Sequence, residues 1–191
     1  TEVTTTEEYQ NEKIVETNVY YNEKEKEPHG MQDPGSIMPL NGRLLEHRVY
    51  SNGTTLKQKT VTQYKCEQLP DYLLGFKVST GYPPYNYRID QYHVAPAVVF
   101  DTLYAAVGGR TICHPQKTEY DYHWRNYQIL QTTTTESEKK RSHHISYTID
   151  YSTSYYKDAV EKYNYVSTPV EEEICVSDDY YGTKKVCHIH Y

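Results

Sequence analysis

Short runs of alternating apolar and polar residues recur along the chain, and a period of two marks half-buried strands. Ile145, Tyr147, Ile149 and Tyr151 alternate with His144, Ser146, Thr148 and Asp150. Tyr85, Tyr87 and Ile89 alternate with Asn86, Arg88 and Asp90, and Tyr120, Tyr122 and Trp124 with Asp121, His123 and Arg125. Several runs face each other across turns. Leu44–Tyr50 and Thr55–Cys66 flank Ser51-Asn52-Gly53-Thr54. Asn-Gly between two such runs signals a hairpin, because both central residues need positive φ. Tyr72–Ser79 and Tyr85–Val94 flank Thr80-Gly81-Tyr82-Pro83-Pro84, and the runs around Cys175 and Cys187 are joined by residues 177–182. Thr132–Arg141 reads as a polar loop with a charge run from Glu136 to Arg141.

Two segments depart from this pattern. Pro96–Val107 opens on proline, is apolar nearly all round and stops at Gly108-Gly109, which predicts a well-covered helix. Ser154 is placed to cap a second helix with Tyr156, Ala159, Val160 and Tyr163 on one stripe; Pro169 bars any continuation. The predicted fold is mainly β or α+β. It is a single antiparallel-sheet domain, a sandwich or curved sheet, with one or two packed helices and an extended N-terminal arm. The divisions are an acidic Thr/Glu-rich arm over 1–27, a Pro/Gly linker over 28–42 and a β-rich domain over 43–191.

Composition sharpens the picture. The chain has 23 tyrosines against two phenylalanines and one tryptophan. A buried tyrosine needs a partner for its hydroxyl, so this skew predicts rings lying at surfaces and interfaces of a thin sheet. Mean hydropathy is -0.87 and only 37% of residues are apolar, too few for a large core. Residues 1–27 carry eight glutamates and three lysines, and the formal charge of -6 leaves the remainder near neutral. There is no basic patch of the size nucleic-acid binding requires, and no apolar run long enough for a membrane-spanning helix.

The cysteines, Cys66, Cys113, Cys175 and Cys187, are four in number and form no CxxC pair. That favours disulfides over zinc, with Cys66–Cys113 and Cys175–Cys187 the preferred pairings. Asn52-Gly53-Thr54 is a glycosylation sequon, and the chain opens on Thr1, as a mature chain does after removal of a signal peptide. These features lead to the expectation of a secreted, extracellular protein.

No nucleophile elbow, zincin, phosphate-loop or dinucleotide motif is present, so the expectation is a non-enzyme. Asp121, His123 and Arg125 read as a hydrogen-bonded surface row. His143-His144 and the pair His188 and His190 read as solvated strand positions rather than metal ligands. Tyr82, Tyr85 and Tyr87 around Pro83-Pro84 form a candidate aromatic platform for a glycan or a partner. A helix lying over the sheet would enclose a cavity between Val98, Val99, Phe100, Leu103 and Tyr104 on one wall and Tyr147 and Ile149 on the other, suited to a lipid or pigment. Tyr9 and Tyr180, in acidic surroundings, are candidates for sulfation. The first reading is an oligomeric carrier or storage protein holding a small apolar ligand. The alternative is an extracellular structural, adhesive or filament-forming matrix subunit, assembling with copies of itself or related subunits through the arm and the tyrosine-rich surfaces.

Overall fold

The computed structural model describes residues 1–9, 12–22, 39–79, 82–137, 139–178 and 182–191. Ten antiparallel strands form one open sheet in which spatial order equals chain order. They are β1 (Glu2–Tyr9), β2 (Glu12–Tyr20), β3 (Leu44–Ser51), β4 (Thr55–Ser79), β5 (Tyr82–Val107), β6 (Arg110–Tyr122), β7 (Ile129–Glu136), β8 (Lys139–Tyr147), β9 (Pro169–Asp178) and β10 (Gly182–His190). A 3-10 turn (Thr148–Asp150) and one helix, α1 (Ser154–Tyr163), fill the connection between β8 and β9. The mainly antiparallel single sheet is the predicted class, and among the described residues one of the two candidate helices forms.

Among the described residues each strand packs extensively only on its sequence neighbours, and α1 only on the 3-10 turn, so none of them forms a second layer over either face. Among the described residues the buried hydrophobic side chains are Ala95, Tyr147 and Val170, and none is completely sealed. Polar cross-strand pairs knit the faces instead. The Asp101 carboxylate accepts from Gln58 at 3.0 Å and from Thr60 at 2.8 Å, and Thr118 and Thr134 share a bond of 3.3 Å. Such pairs are the unit by which a sheet is stabilised.

The predicted hairpin at Asn52-Gly53 forms, with φ of 52° and 76° at the two central residues. The expected helix over Pro96–Val107 does not form: those residues belong to β5 and pair on both sides, Phe100 with Val61 and Lys117. An apolar run does not by itself tell a strand from a helix, and here Phe100, Leu103 and Val107 stay exposed on the sheet. Gly108-Gly109, with φ of 58° and 78°, is a hairpin turn rather than a helix stop. Thr132–Arg141, expected as a loop, lies in β7 and β8 around the turn at Ser137. Glu2–Tyr9 and Glu12–Tyr20, within the expected arm, form β1 and β2 of the same sheet, β2 pairing with β3 from Ile14↔Ser51 to Tyr20↔Leu44. Of the 28–42 linker, residues 28–38 lie outside the described residues, as do Thr80, Gly81 and Tyr180.

β4 and β5 outrun their neighbours. From Tyr64↔Pro96 to Ser79↔Tyr82 they pair only with each other, a two-stranded ribbon about 50 Å long at the rise of a β-strand. Its register jumps between Gln68↔Tyr92 and Tyr72↔Asp90. Pro70 sits in that bulge, where its missing N–H breaks no ladder bond.

All four cysteines are thiols, which corrects the expected disulfides. Cys66 stands opposite Val94, and Cys113 opposite Tyr104. Ten positions of β5 separate those partners, about 33 Å, whereas a bridge tolerates a Cα separation of about 7 Å. Cys175 and Cys187 are on adjacent strands, but the register shift between Lys185 and Cys187 pairs Cys187 with Ile174, one residue from Cys175 and therefore on the other face. The Cys175 thiol donates instead to Glu173 at 3.2 Å. The intact mass is expected to be the same before and after reduction, with exposed Cys66 and Cys113 alkylated first in the native protein. A mass gain on reduction would contradict this arrangement.

Candidate functional site

The residues proposed to line one cavity are divided by the sheet. In a strand, neighbours point to opposite faces. Val99 and Leu103 therefore lie on one face of β5, and Phe100 and Tyr104, with Val98, on the other. Tyr147 ends β8, three strand spacings away, at least about 14 Å. Tyr104 borders a shallow cleft of ≈ 360 Å³ with Leu56, Lys57, Ala105 and Thr111. Ile149 borders a different one of ≈ 270 Å³ with Arg125, Asp150, Tyr151, Lys157 and Val160. Tyr82, Tyr85 and Tyr87 lie on the β5 side of the ribbon, opposite Ser79, Lys77 and Gly75.

The best-formed cluster of side chains is a corner built by the 123–128 turn, the end of β8 and the segment after α1. The turn closes on itself: the Tyr127 amide donates to the His123 carbonyl at 2.9 Å, and the His123 amide to the Gln128 carbonyl at 2.8 Å. His123 is 6% exposed. Its Nδ1 accepts the amides of Arg125 and Asn126 at 3.2 and 3.4 Å, which places the ring proton on Nε2, and Nε2 donates to Asp150 Oδ1 at 2.8 Å. Asp150 Oδ2 accepts the Tyr147 amide at 2.8 Å, and Asn126 Nδ2 donates to the Val166 carbonyl at 3.0 Å. Tyr147, 5% exposed, sets its ring edge-on to His123 at 6.3 Å.

The expected row of Asp121, His123 and Arg125 is thus broken up. β6 ends at Tyr122, so His123 turns inward, Asp121 stays exposed and the Arg125 guanidinium lies 5.2 Å over the Trp124 ring. Both His123 nitrogens are occupied by bonds that hold the turn. No sequence signal short of the structure links His123 to an aspartate 27 positions on.

Of the other candidate histidines, His143, His188 and His190 are engaged across strands. His143 Nε2 meets Glu172 Oε2 at 2.9 Å, His188 meets Glu171, and His190 Nδ1 donates to the Val170 carbonyl at 3.2 Å. Among the described residues no three His, Cys, Asp or Glu side chains converge as a metal site requires.

Tyrosines show a recurring device at one end of the sheet. Tyr64 on β4 donates to the Leu44 carbonyl at 3.0 Å, Tyr122 on β6 to Pro96 at 2.8 Å, and Tyr147 on β8 to Ile129 at 2.6 Å. In each case an even-numbered strand reaches back with a tyrosine to the preceding strand, just past the point where the ladder between the two neighbouring strands runs out. Burial pushes all three phenols above the ordinary tyrosine range; Arg43 opposes this at Tyr64, while Tyr120 adds at Tyr122 and Glu172 with Asp150 at Tyr147. The folded state holds these protons more tightly than the unfolded chain. Their contribution to stability is therefore complete below about pH 10 and is lost as the pH rises through the raised values. Ultraviolet titration is expected to show a late-ionising tyrosine class that merges with the rest in urea. One identical titration in both conditions would remove the device.

The sheet leaves two edges open. Among the described residues β1 (Glu2–Tyr9) has no partner beyond β2, and β10 (Gly182–His190) none beyond β9. An edge exposes a row of backbone N–H and C=O groups, a template for another strand. No helix among the described residues is long and apolar enough to cross a membrane. No family model, curated protein or solved structure matches this chain, so its edges, tyrosine clasps and buried corner are the features on which a functional reading rests.

Proposed function

We propose that this chain is a non-enzymatic structural subunit, of an adhesive, filament or matrix, that works by joining its sheet to copies of itself or to related subunits. The observation that carries this reading is the single uncovered sheet with two open edges and only three buried hydrophobic side chains among the described residues. A sheet needs a hydrophobic face packed on another layer for independent stability; the described residues supply no such layer, and further subunits are the means of supplying it. Exposed tyrosines suit such contacts, since they give large area at small entropic cost. A carrier of lipid or pigment is the less favoured reading, because the residues expected to enclose the ligand fall on two faces and in two shallow clefts. An extracellular location, with Asn52 glycosylated in its exposed turn, belongs to the same proposal.

Native mass spectrometry and light scattering over a concentration series test it. Mass is expected to grow with concentration, without excess mass from a small ligand. A concentration-independent monomer that unfolds cooperatively would overturn the reading, and a defined oligomer releasing a lipid or pigment on denaturation would replace it with the carrier.

A further inference from the structure

We infer that assembly runs head to tail, with β1 of one copy adding as the next antiparallel strand beside β10 of another. This inference rests on the assembly reading and names its interface. Three observations point to it. First, the described strands number ten and every neighbour is antiparallel, so β1 and β10 run in opposite directions. A copy placed beyond β10 without being turned over therefore continues the antiparallel ladder; an odd count would have forced a parallel junction.

Second, the two edges carry opposite charge. β1 holds Glu2, Glu7 and Glu8 and no cation, while β10 holds Lys184, Lys185, His188 and His190 and no carboxylate. Like charges across a strand pair are destabilising and opposite charges favourable. Pairing of β1 with β1, or β10 with β10, is thus opposed, and β1 with β10 is favoured. On β10, His188 is already engaged by Glu171 of β9, whereas Lys184 makes no ion pair among the described residues. Lys184 is the charge this edge offers.

Third, one register satisfies the whole length. With Tyr9 opposite Gly182, Glu7 meets Lys184. Beyond the extra residue at Val186, Val3 meets Ile189 and Glu2 meets His190. Followed across the sheet through its registers, Glu7, Val3, Lys184 and Ile189 lie on one face, and Glu2 and His190 on the other. Each facing pair thus keeps the same side of the sheet in both copies, as an unflipped neighbour demands. A slip of one residue would break that agreement. Such a heterologous contact does not pair a surface with itself, so it grows an open filament or closes a ring according to the rotation per copy.

The test is a charge swap in the full chain. Glu7→Lys and Lys184→Glu are each expected to raise the concentration needed for assembly by up to about tenfold, since each turns a favourable cross-strand charge pair into a like-charge one. The double variant, Glu7→Lys with Lys184→Glu, is expected to assemble near the wild-type concentration. Circular dichroism matching the wild type shows that each variant is folded, and a misfolded variant is replaced by Glu7→Gln or Lys184→Gln, for which a smaller shift in the same direction is expected. If the wild type assembles and both single variants assemble equally well, the β1–β10 junction is wrong while the assembly reading stands. If the wild type stays monomeric at every concentration, both fall.

Discussion

Tyr147→Ala is expected to destabilise the protein by about 3–4 kcal/mol, as large aromatic truncations at buried sites do. Tyr147 is the one large aromatic side chain among the buried hydrophobics of the described residues. Its ring packs against His123, and its hydroxyl satisfies the Ile129 carbonyl where β7 begins. Removing it opens a hole at the junction of β7, β8 and the 3-10 turn and strips a buried acceptor in the same step. Tyr147→Phe separates the two contributions: it keeps the ring, and its cost is expected to be about 1–2 kcal/mol, that of a lost buried hydrogen bond. The phenylalanine variant also removes one of the late-ionising phenols, so its stability should fall less steeply above pH 10. Urea unfolding with an unchanged slope measures both. An alanine variant with an unmoved midpoint would mean that the corner contributes nothing to global stability.

His123→Ala is expected to cost about 2–3 kcal/mol, because it leaves three polar groups without their partner in a closed turn. Asp150 Oδ1 loses its donor, and the amides of Arg125 and Asn126 lose their acceptor. Asp121→Ala, two residues away on an exposed strand position, serves as the control and is expected to change stability by less than about 0.5 kcal/mol. His123 and Tyr147 touch, and both are bonded to Asp150. Their effects are therefore expected to be non-additive by roughly 1 kcal/mol in a double-mutant cycle. Strict additivity, or a control as damaging as the histidine change, would show that the corner is not one unit.

Local rules were enough to read some of this architecture from the sequence. Asn52-Gly53 announces its hairpin because the turn demands positive φ from two adjacent residues, and few others supply it. Ser154–Tyr163 announces its helix through one apolar stripe. The alternation through Ile145 and Tyr147 marks β8, but it overshoots. The strand stops at Tyr147 because Asp150 bends back to accept that residue's amide, a bond the alternation does not encode. Pro96–Val107 misleads for a related reason: an apolar run without clear period fits a strand or a helix, and only the partners β4 and β6 separate them. The polar repeats of Thr132–Thr135 look like a loop because a sheet with no covered face has no need of apolar positions. The candidate site was less legible still. His123 reads as one of an exposed row until the turn is seen to fold it onto Asp150. The charge opposition of β1 and β10 means nothing until both are known to be edges. The tyrosine excess was informative in kind, since buried hydroxyls must find acceptors. Which carbonyls would serve was set by where each ladder ends.

The sequential order of the strands has a kinetic consequence. Because each strand is held by its neighbours in the chain and, among the described residues, no opposing layer ties distant strands together, local opening is expected to begin at the edges. β1 can detach without disturbing β3, and β10 without disturbing β8. Amide protection from hydrogen exchange should therefore rise in steps from each edge toward β5 and β6, and should drop again along the ribbon of β4 and β5 that no third strand flanks. A neighbour docked on either edge would then act as a brake on fraying, slowing exchange first in β1 and β10 and only afterwards in the strands behind them.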